Sequence, residues 1–155
     1  MPGSPAPAFV LRSSPHCDVA LEDYRGRPIV LAFYIADWHP VCSAQLERYR
    51  DLGPELMRLG AELLAISSDT VWSHAAFARA HRLPFQLLAD HTPRAKIAQA
   101  YGAFDVQVQA PSRSLFVVDA KGVIAWSESF PESVDPGLDR ILSALEGLPP
   151  ATRQP

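Results

Sequence analysis

A chain of 155 residues, 48% of them apolar and with a formal net charge of −3, is long enough to bury one core and short for a second domain. The slight acidity and the lack of a Lys/Arg cluster argue against nucleic acid or an anionic membrane as the main partner, and no apolar run approaches the ~20 residues that span a bilayer. The proline-rich start, Met1 to Ala8, lacks the basic-then-apolar pattern of a secretory leader, so the expected location is cytoplasmic. Two cysteines in such a compartment are inert, metal-bound or redox-active rather than a disulfide scaffold.

Taken in order, Pro5 to Leu11 reads as a short extended piece kept at an edge by its prolines. Arg12 to His16 reads as a polar loop leading to Cys17 and Val19-Ala20-Leu21. With the turn at Asp23 to Arg27, this predicts an N-terminal hairpin and a crossover into the core. Ile29 to Ala36 is a run of eight apolar residues, the pattern of a strand buried on both faces. Pro40 suits the first position of a helix, where its missing N–H costs nothing, and this places Cys42 third. Positions 42, 46, 49, 52, 56 and 59 carry Cys, Leu, Tyr, Leu, Leu and Leu, one inward helical face. Gly53-Pro54 interrupts it, and a kink or a restart is expected there.

Gly60 ends that unit, and Ala61 to Ser67 returns as a strand parallel to the first. Asp69-Thr70 can cap a helix over 71–81, with Trp72, Ala75, Ala76 and Phe77 expected as its packing residues. Phe85 to Asp90 is a short strand, and Thr92-Pro93 opens a helix ending near Tyr101-Gly102. Ser114 to Asp119 and Val123 to Trp126 pair about Ala120-Lys121-Gly122, with glycine at the left-handed position. A helix from Asp135 to about Glu146 closes a single domain spanning 1–155, and 148–155 is a loose tail. Strands alternating with helices, then a hairpin and a last helix, describe an α/β fold with a central mixed sheet flanked by helices.

Chemistry should centre on Cys42. At a helix start its sulfur lies near unpaired N–H groups and the positive end of the helix dipole, which favour thiolate. The residue types leave a second reading open, a small buried hydrophobe. A metal site from His16-Cys17 and His39-x-x-Cys42 has the spacing of neither a zinc finger nor a ribbon, and would sacrifice the helix start. No metal is therefore expected.

Phe33-Tyr34-Ile35-Ala36-Asp37-Trp38-His39-Pro40-Val41-Cys42 resembles the peroxidatic motif of the peroxiredoxins, the thiol-specific antioxidant or alkyl hydroperoxide reductase C group. In that motif Pro-x-x-x-Thr/Ser-x-x-Cys follows an apolar strand. Cys42 matches the peroxidatic cysteine, and Tyr34, Asp37 and Val41 also fit. The resemblance extends over about residues 5–146, through Pro7-x-Phe9-x-Leu11, Pro84-Phe85-x-Leu87-Leu88-x-Asp90, Ala100-Tyr101-Gly102 and Arg113 ahead of Ser114 to Val118. It implies a thioredoxin-like fold extended by the N-terminal β-hairpin. It also implies a thiol-dependent peroxidase in which Cys42 attacks hydrogen peroxide or a small organic hydroperoxide and becomes a sulfenic acid. Arg113 and helix N–H groups would stabilise the displaced oxygen, with His39 assisting and Gln45 and Tyr34 in support. Without the resemblance, Arg113 would read as a surface arginine at a strand start. No cofactor is implied; the reductant would be an external thiol of thioredoxin, glutaredoxin or low-molecular-weight type, and a homodimer is the expected assembly.

Three residues depart from the motif. Ile35 stands for proline, and little harm is expected. Gln45 stands where glutamate is frequent, and its missing charge suggests a less tightly held Arg113. His39 stands for the threonine or serine whose hydroxyl bonds the sulfur and holds the peroxide. A neutral His39 ring could donate an N–H to thiolate or peroxide, act as a base toward Cys42, or simply cap the helix and face water. The helical resolving position of one subgroup, five residues after the cysteine, is Glu47. Cys17 is thus the candidate resolving cysteine, within or between subunits, and the alternative is a one-cysteine mechanism. A rival function is a redox sensor or binding module of the same fold with weak peroxidase activity. A thiol–disulfide oxidoreductase is disfavoured by the lack of Cys-x-x-Cys.

Overall fold

The computed structural model describes residues 2–91, 93–131 and 138–148. The apolar run after Pro28 forms β3 (Ile29–Phe33), in which every residue is buried. Successive side chains of a strand face opposite ways. Val30, Ala32 and Tyr34 accordingly join one hydrophobic cluster, with Leu46, Leu52 and Phe77, while Ile29, Leu31 and Phe33 join another, with Phe9, Leu88 and Tyr101. The sheet therefore divides two cores, and β3 is one of its interior strands.

Around β3 the seven-stranded sheet has the order β2-β1-β5-β4-β3-β8-β9. β1 (Val10–Ser14) and β2 (Cys17–Ala20) are the N-terminal hairpin. β4 (Glu62–Ser67) lies parallel to β3, with Phe33 beside Ile66, and β5 (Gln86–Ala89) continues parallel to β4. β8 (Arg113–Val118) is antiparallel to β3, with Ser114 beside Phe33, and pairs with β9 (Ile124–Phe130). A mixed sheet with helical connections is the expected thioredoxin-like arrangement.

The helices follow from their caps and breakers. α1 (Pro40–Tyr49) starts on Pro40 and gives way to a 3-10 turn over Arg50–Leu52, after which α2 (Gly53–Arg58) restarts with Pro54 in its first turn. α3 (Val71–His81) is capped by Thr70, whose hydroxyl accepts the N–H of Ser73 at 3.1 Å. α4 (Lys96–Ala100) and α5 (Asp139–Glu146) complete the set. The expected starts of these last two at Thr92 and Asp135, and residues 149–155 of the expected tail, lie outside the described residues.

Three local expectations need correction. α3 buries His74 and Phe77, while Trp72, Ala75 and Ala76 are exposed. With ~100° per residue, Trp72 points about 200° from His74, so choosing residues by hydrophobicity misplaced the inward face. The polar segment Arg12 to His16 is mostly strand, with only Pro15-His16 forming the turn, because no side chain of β1 is fully buried and the strand so tolerates polar residues. A two-stranded ribbon of β6 (Phe104–Asp105) and β7 (Ala110–Pro111) precedes β8 and carried no periodic signal. Among the described residues no helix is long and apolar enough to cross a membrane.

Candidate active site

The site forms where β3 ends and α1 begins. Tyr34 is still tied to the sheet, its N–H reaching the Ile66 carbonyl at 3.0 Å. The chain then turns through a left-handed residue, Trp38 at φ 68°, a conformation costly for a bulky side chain unless its surroundings hold it. Anchors on Asp37 and on the Trp38 ring come from α3. The Trp38 ring packs edge-on against Phe77 at 5.2 Å and near His81 at 5.7 Å. Asp37, buried, accepts from Tyr34 Oη at 2.6 Å and Ser73 Oγ at 2.7 Å, and meets His74 Nδ1 at 2.8 Å.

The other His74 nitrogen lies 3.0 Å from the Leu88 carbonyl. Both ring nitrogens thus face oxygen atoms, which fixes the ring between Asp37 and β5. Burial, with the charge of Asp37 adding to it, pushes the Tyr34 hydroxyl well above its ordinary pKa, so Tyr34 stays a donor. Asp37, Asp69 and His74 bring possible ligand atoms within 4.8 Å of one another, but these atoms are engaged by Tyr34, Ser73, Ser67 and the Asp37 N–H.

His39 is the N-cap of α1. Its Nδ1 accepts the Cys42 N–H at 3.4 Å, and its carbonyl accepts the Ser43 N–H at 2.7 Å. The ring nitrogen facing the helix therefore acts as an acceptor. Cys42 is fully buried in the third helical position, and its Sγ accepts the N–H of Ile35 at 3.4 Å. One turn further along the same helix, Gln45 Oε1 accepts from Arg113 Nε at 3.0 Å and Nη2 at 2.7 Å. The Gln45 amide donates to Tyr49 Oη at 2.6 Å, and Arg113 Nη1 reaches the Pro131 carbonyl at 2.7 Å.

Arg113 is 1% exposed. A guanidinium so buried is tolerated only where its N–H groups are met, and Gln45 meets two of them through one oxygen. The expectation that Gln45 leaves the arginine loosely held is corrected: an amide oxygen supplies a forked acceptor without a charge. Residues 2–127 match the family model described as AhpC/TSA family. The chain belongs to the peroxiredoxins. It is 38% identical over 125 residues to "Peroxiredoxin Q, chloroplastic" of Triticum aestivum, matching 80% of this chain and 57% of that one. To "Peroxiredoxin Q, chloroplastic" of Populus jackii it is 34% identical over 147 residues, 94% of this chain and 68% of the relative. The chain thus spans between half and about two thirds of the length of these relatives. The AhpC structure of Mycobacterium tuberculosis shares the fold, with a TM-score of 0.83 at 22% identity over 94% of this chain and 91% of that one. Peroxiredoxins are thiol-dependent peroxidases.

Within this peroxiredoxin, Cys42, His39, Gln45, Tyr34 and Arg113 converge on one helix start, and Cys17 does not. Cys17 is an exposed residue opening edge strand β2, with β1, β5 and β4 between it and β3. Four strand spacings amount to roughly 19 Å, against the ~7 Å within which Cα atoms can be bridged. The same separation keeps His16 and Cys17 from His39 and Cys42. Glu47 holds His81 Nδ1 at 2.6 Å, and Arg50 Nη1 reaches the His81 carbonyl at 2.8 Å, pinning α1 to α3. The His81 hydrogen bond keeps the Glu47 carboxyl below its usual pKa.

Sequence reasoning missed His74, Asp69 and the Ile35 N–H as parts of this site. His74 had a signal, since it lies one helical turn before the inward-facing Phe77.

Proposed function

We propose that this chain reduces hydrogen peroxide or a small organic hydroperoxide with Cys42 as the nucleophile. The observation that carries the reading is the fully buried sulfur at the third residue of α1, with Gln45 and its bound Arg113 one turn away on the same face. The thiolate attacks the terminal peroxide oxygen, the O–O bond breaks, and Cys42 is oxidised to sulfenic acid while the hydroperoxide is reduced to water or an alcohol. The displaced oxygen takes one proton. Arg113 stabilises the charge developing on the two peroxide oxygens, because a guanidinium presents two parallel donors and stays charged. His39, with Nδ1 committed to the helix cap, offers Nε2–H as a donor to the substrate in place of the family hydroxyl.

Turnover then uses an external thiol. One thiol displaces water from the sulfenic sulfur to give a mixed disulfide, and a second releases Cys42. Separation of the cysteines within the folded chain supports the external route over Cys17 of the same chain. A cytoplasmic setting and a homodimer belong to this proposal, the latter supported by exposed Val106, Val108 and Trp38. The test is rapid mixing of the reduced protein with hydrogen peroxide, followed by tryptophan fluorescence because Trp38 lies beside the site. A rate first order in peroxide, abolished by Cys42→Ser, is expected. An equally fast signal in Cys42→Ser would overturn the assignment.

A further inference from the structure

The peroxiredoxin motif has proline immediately after its tyrosine, and proline has no main-chain N–H. Here the residue is Ile35, and its N–H is spent on the sulfur of Cys42 at 3.4 Å. The strand end accounts for the direction. Tyr34 sends its N–H to Ile66 on β4 at 3.0 Å, and successive donors of a strand point to opposite sides, so the next one turns away from β4. α1 brings the acceptor to meet it, because Pro40 opens the helix and sets Cys42 in its third position.

A second departure stands at the N-cap of α1. In the family motif a threonine or serine hydroxyl donates to the sulfur; here position 39 is histidine, and the ring nitrogen that faces the helix accepts the Cys42 N–H. That nitrogen can give the sulfur nothing. A donor changed at 39 is thus matched by a donor gained at 35.

We propose that the main-chain N–H of Ile35 is a catalytic group in this chain, a hydrogen-bond donor to the Cys42 thiolate that a proline at this position cannot provide. An N–H bonds an ionised sulfur more strongly than a neutral one, so it raises the thiolate fraction. It also withdraws some electron density from the sulfur, so each thiolate is a slightly weaker nucleophile. No bond to Ile35 forms or breaks; once the sulfur is oxygenated and uncharged, the donor loses its charged acceptor.

The kinetic part of the test rests on the peroxidase reading, and the titration does not. In a Cys17→Ser background, Ile35→Pro removes the donor, Ile35→Val keeps it, and an ester in place of the Tyr34–Ile35 amide removes that N–H alone. Thiolate formation is followed by its ultraviolet absorbance against pH. The charged or titratable side chains of the site include His39 on the turn before α1, Tyr49 on α1, Arg113 from β8 and the Tyr34–Asp37–His74 group that joins the end of β3 to α3, and replacing one amide alters none of them. The proline and ester variants are expected to titrate about one pH unit higher than the Cys17→Ser parent, and Ile35→Val within about 0.3.

The peroxide rate should then cross over. Below both midpoints it falls about threefold, from ~10-fold less thiolate that is each ~3-fold more nucleophilic, and above both it rises about threefold. General damage to the site would instead lower the rate at every pH. If the altered proteins do not fold, the Ile35 amide resonance of the parent decides: it moves downfield as Cys42 ionises and stays still in Cys42→Ala. Unchanged midpoints, or an amide indifferent to the sulfur, would overturn the proposal. A parent that ignores peroxide while the midpoints shift as expected would sink the peroxidase reading and leave the donor standing.

Discussion

The two cysteines of this chain occupy opposite kinds of place. Cys42 is fully buried where the central strand meets α1, with a main-chain N–H on its sulfur and a buried arginine fork held one turn away. Cys17 opens an edge strand and is exposed. Both are free thiols, yet only Cys42 sits at a helix start with a main-chain N–H directed at its sulfur. Reactivity here is a property of the strand–turn–helix junction, and the sheet order keeps the second thiol out of it.

The largest effect expected from this contrast is on the nucleophile itself. Cys42→Ser should lower the second-order rate with hydrogen peroxide by at least ~1000-fold, and Cys17→Ser should leave the first turnover within about twofold. Stopped-flow fluorescence measures both, and equal losses would erase the contrast. Next comes the fork. Arg113→Lys keeps the charge but loses the paired donors, and a rate loss of about 100-fold is expected at unchanged thiolate content. The Cys42 junction also depends on its amide: Gln45→Leu strips the acceptor from two arginine N–H groups. A loss of about 2–3 kcal/mol in urea unfolding is expected, along with a slower peroxide step.

The smallest effect separates the two faces of the sheet. Tyr34, on the Cys42 side, and Tyr101, on the opposite side, are both held above the ordinary tyrosine pKa chiefly by burial. The unfolded chain ionises tyrosine near pH 10 and the folded chain resists, so stability from these hydroxyls is fully present below about pH 10 and is lost as pH rises beyond it. Unfolding midpoints from pH 8 to about 11 should show that decline, shallower in Tyr34→Phe and in Tyr101→Phe. A decline as steep in both variants as in the parent would contradict the assignment of these groups.

Much of this was legible in the residues because it is local. The apolar run, Pro40 and the third helical position of Cys42 all lie within a few residues of one another, whereas Arg113 was legible only through the resemblance to the family motif, because a strand start alone reads as a surface position. What was hidden depends on direction and distance. The Ile35 N–H was invisible because main-chain donors leave no mark in a side-chain pattern, and its value appears only once the sulfur is seen to lie on it. His74 was masked by its neighbour Trp72, which is more hydrophobic but points to water. The Gln45 fork needed a contact across 68 positions of chain. The separation of Cys17 from Cys42 needed the strand order, which local pattern does not contain.

In the proposed reaction Cys42 alone takes up the peroxide oxygen, and Cys17 of the same chain does not resolve it. Intact mass under non-reducing conditions, after less than one equivalent of hydrogen peroxide is added to the reduced protein, tests it most directly. The expected result is a gain of one oxygen atom, mapped to Cys42 and absent in Cys42→Ser, with no internal loss of two hydrogens. Rapid loss of two hydrogens within one chain, or no change over many minutes, would contradict it.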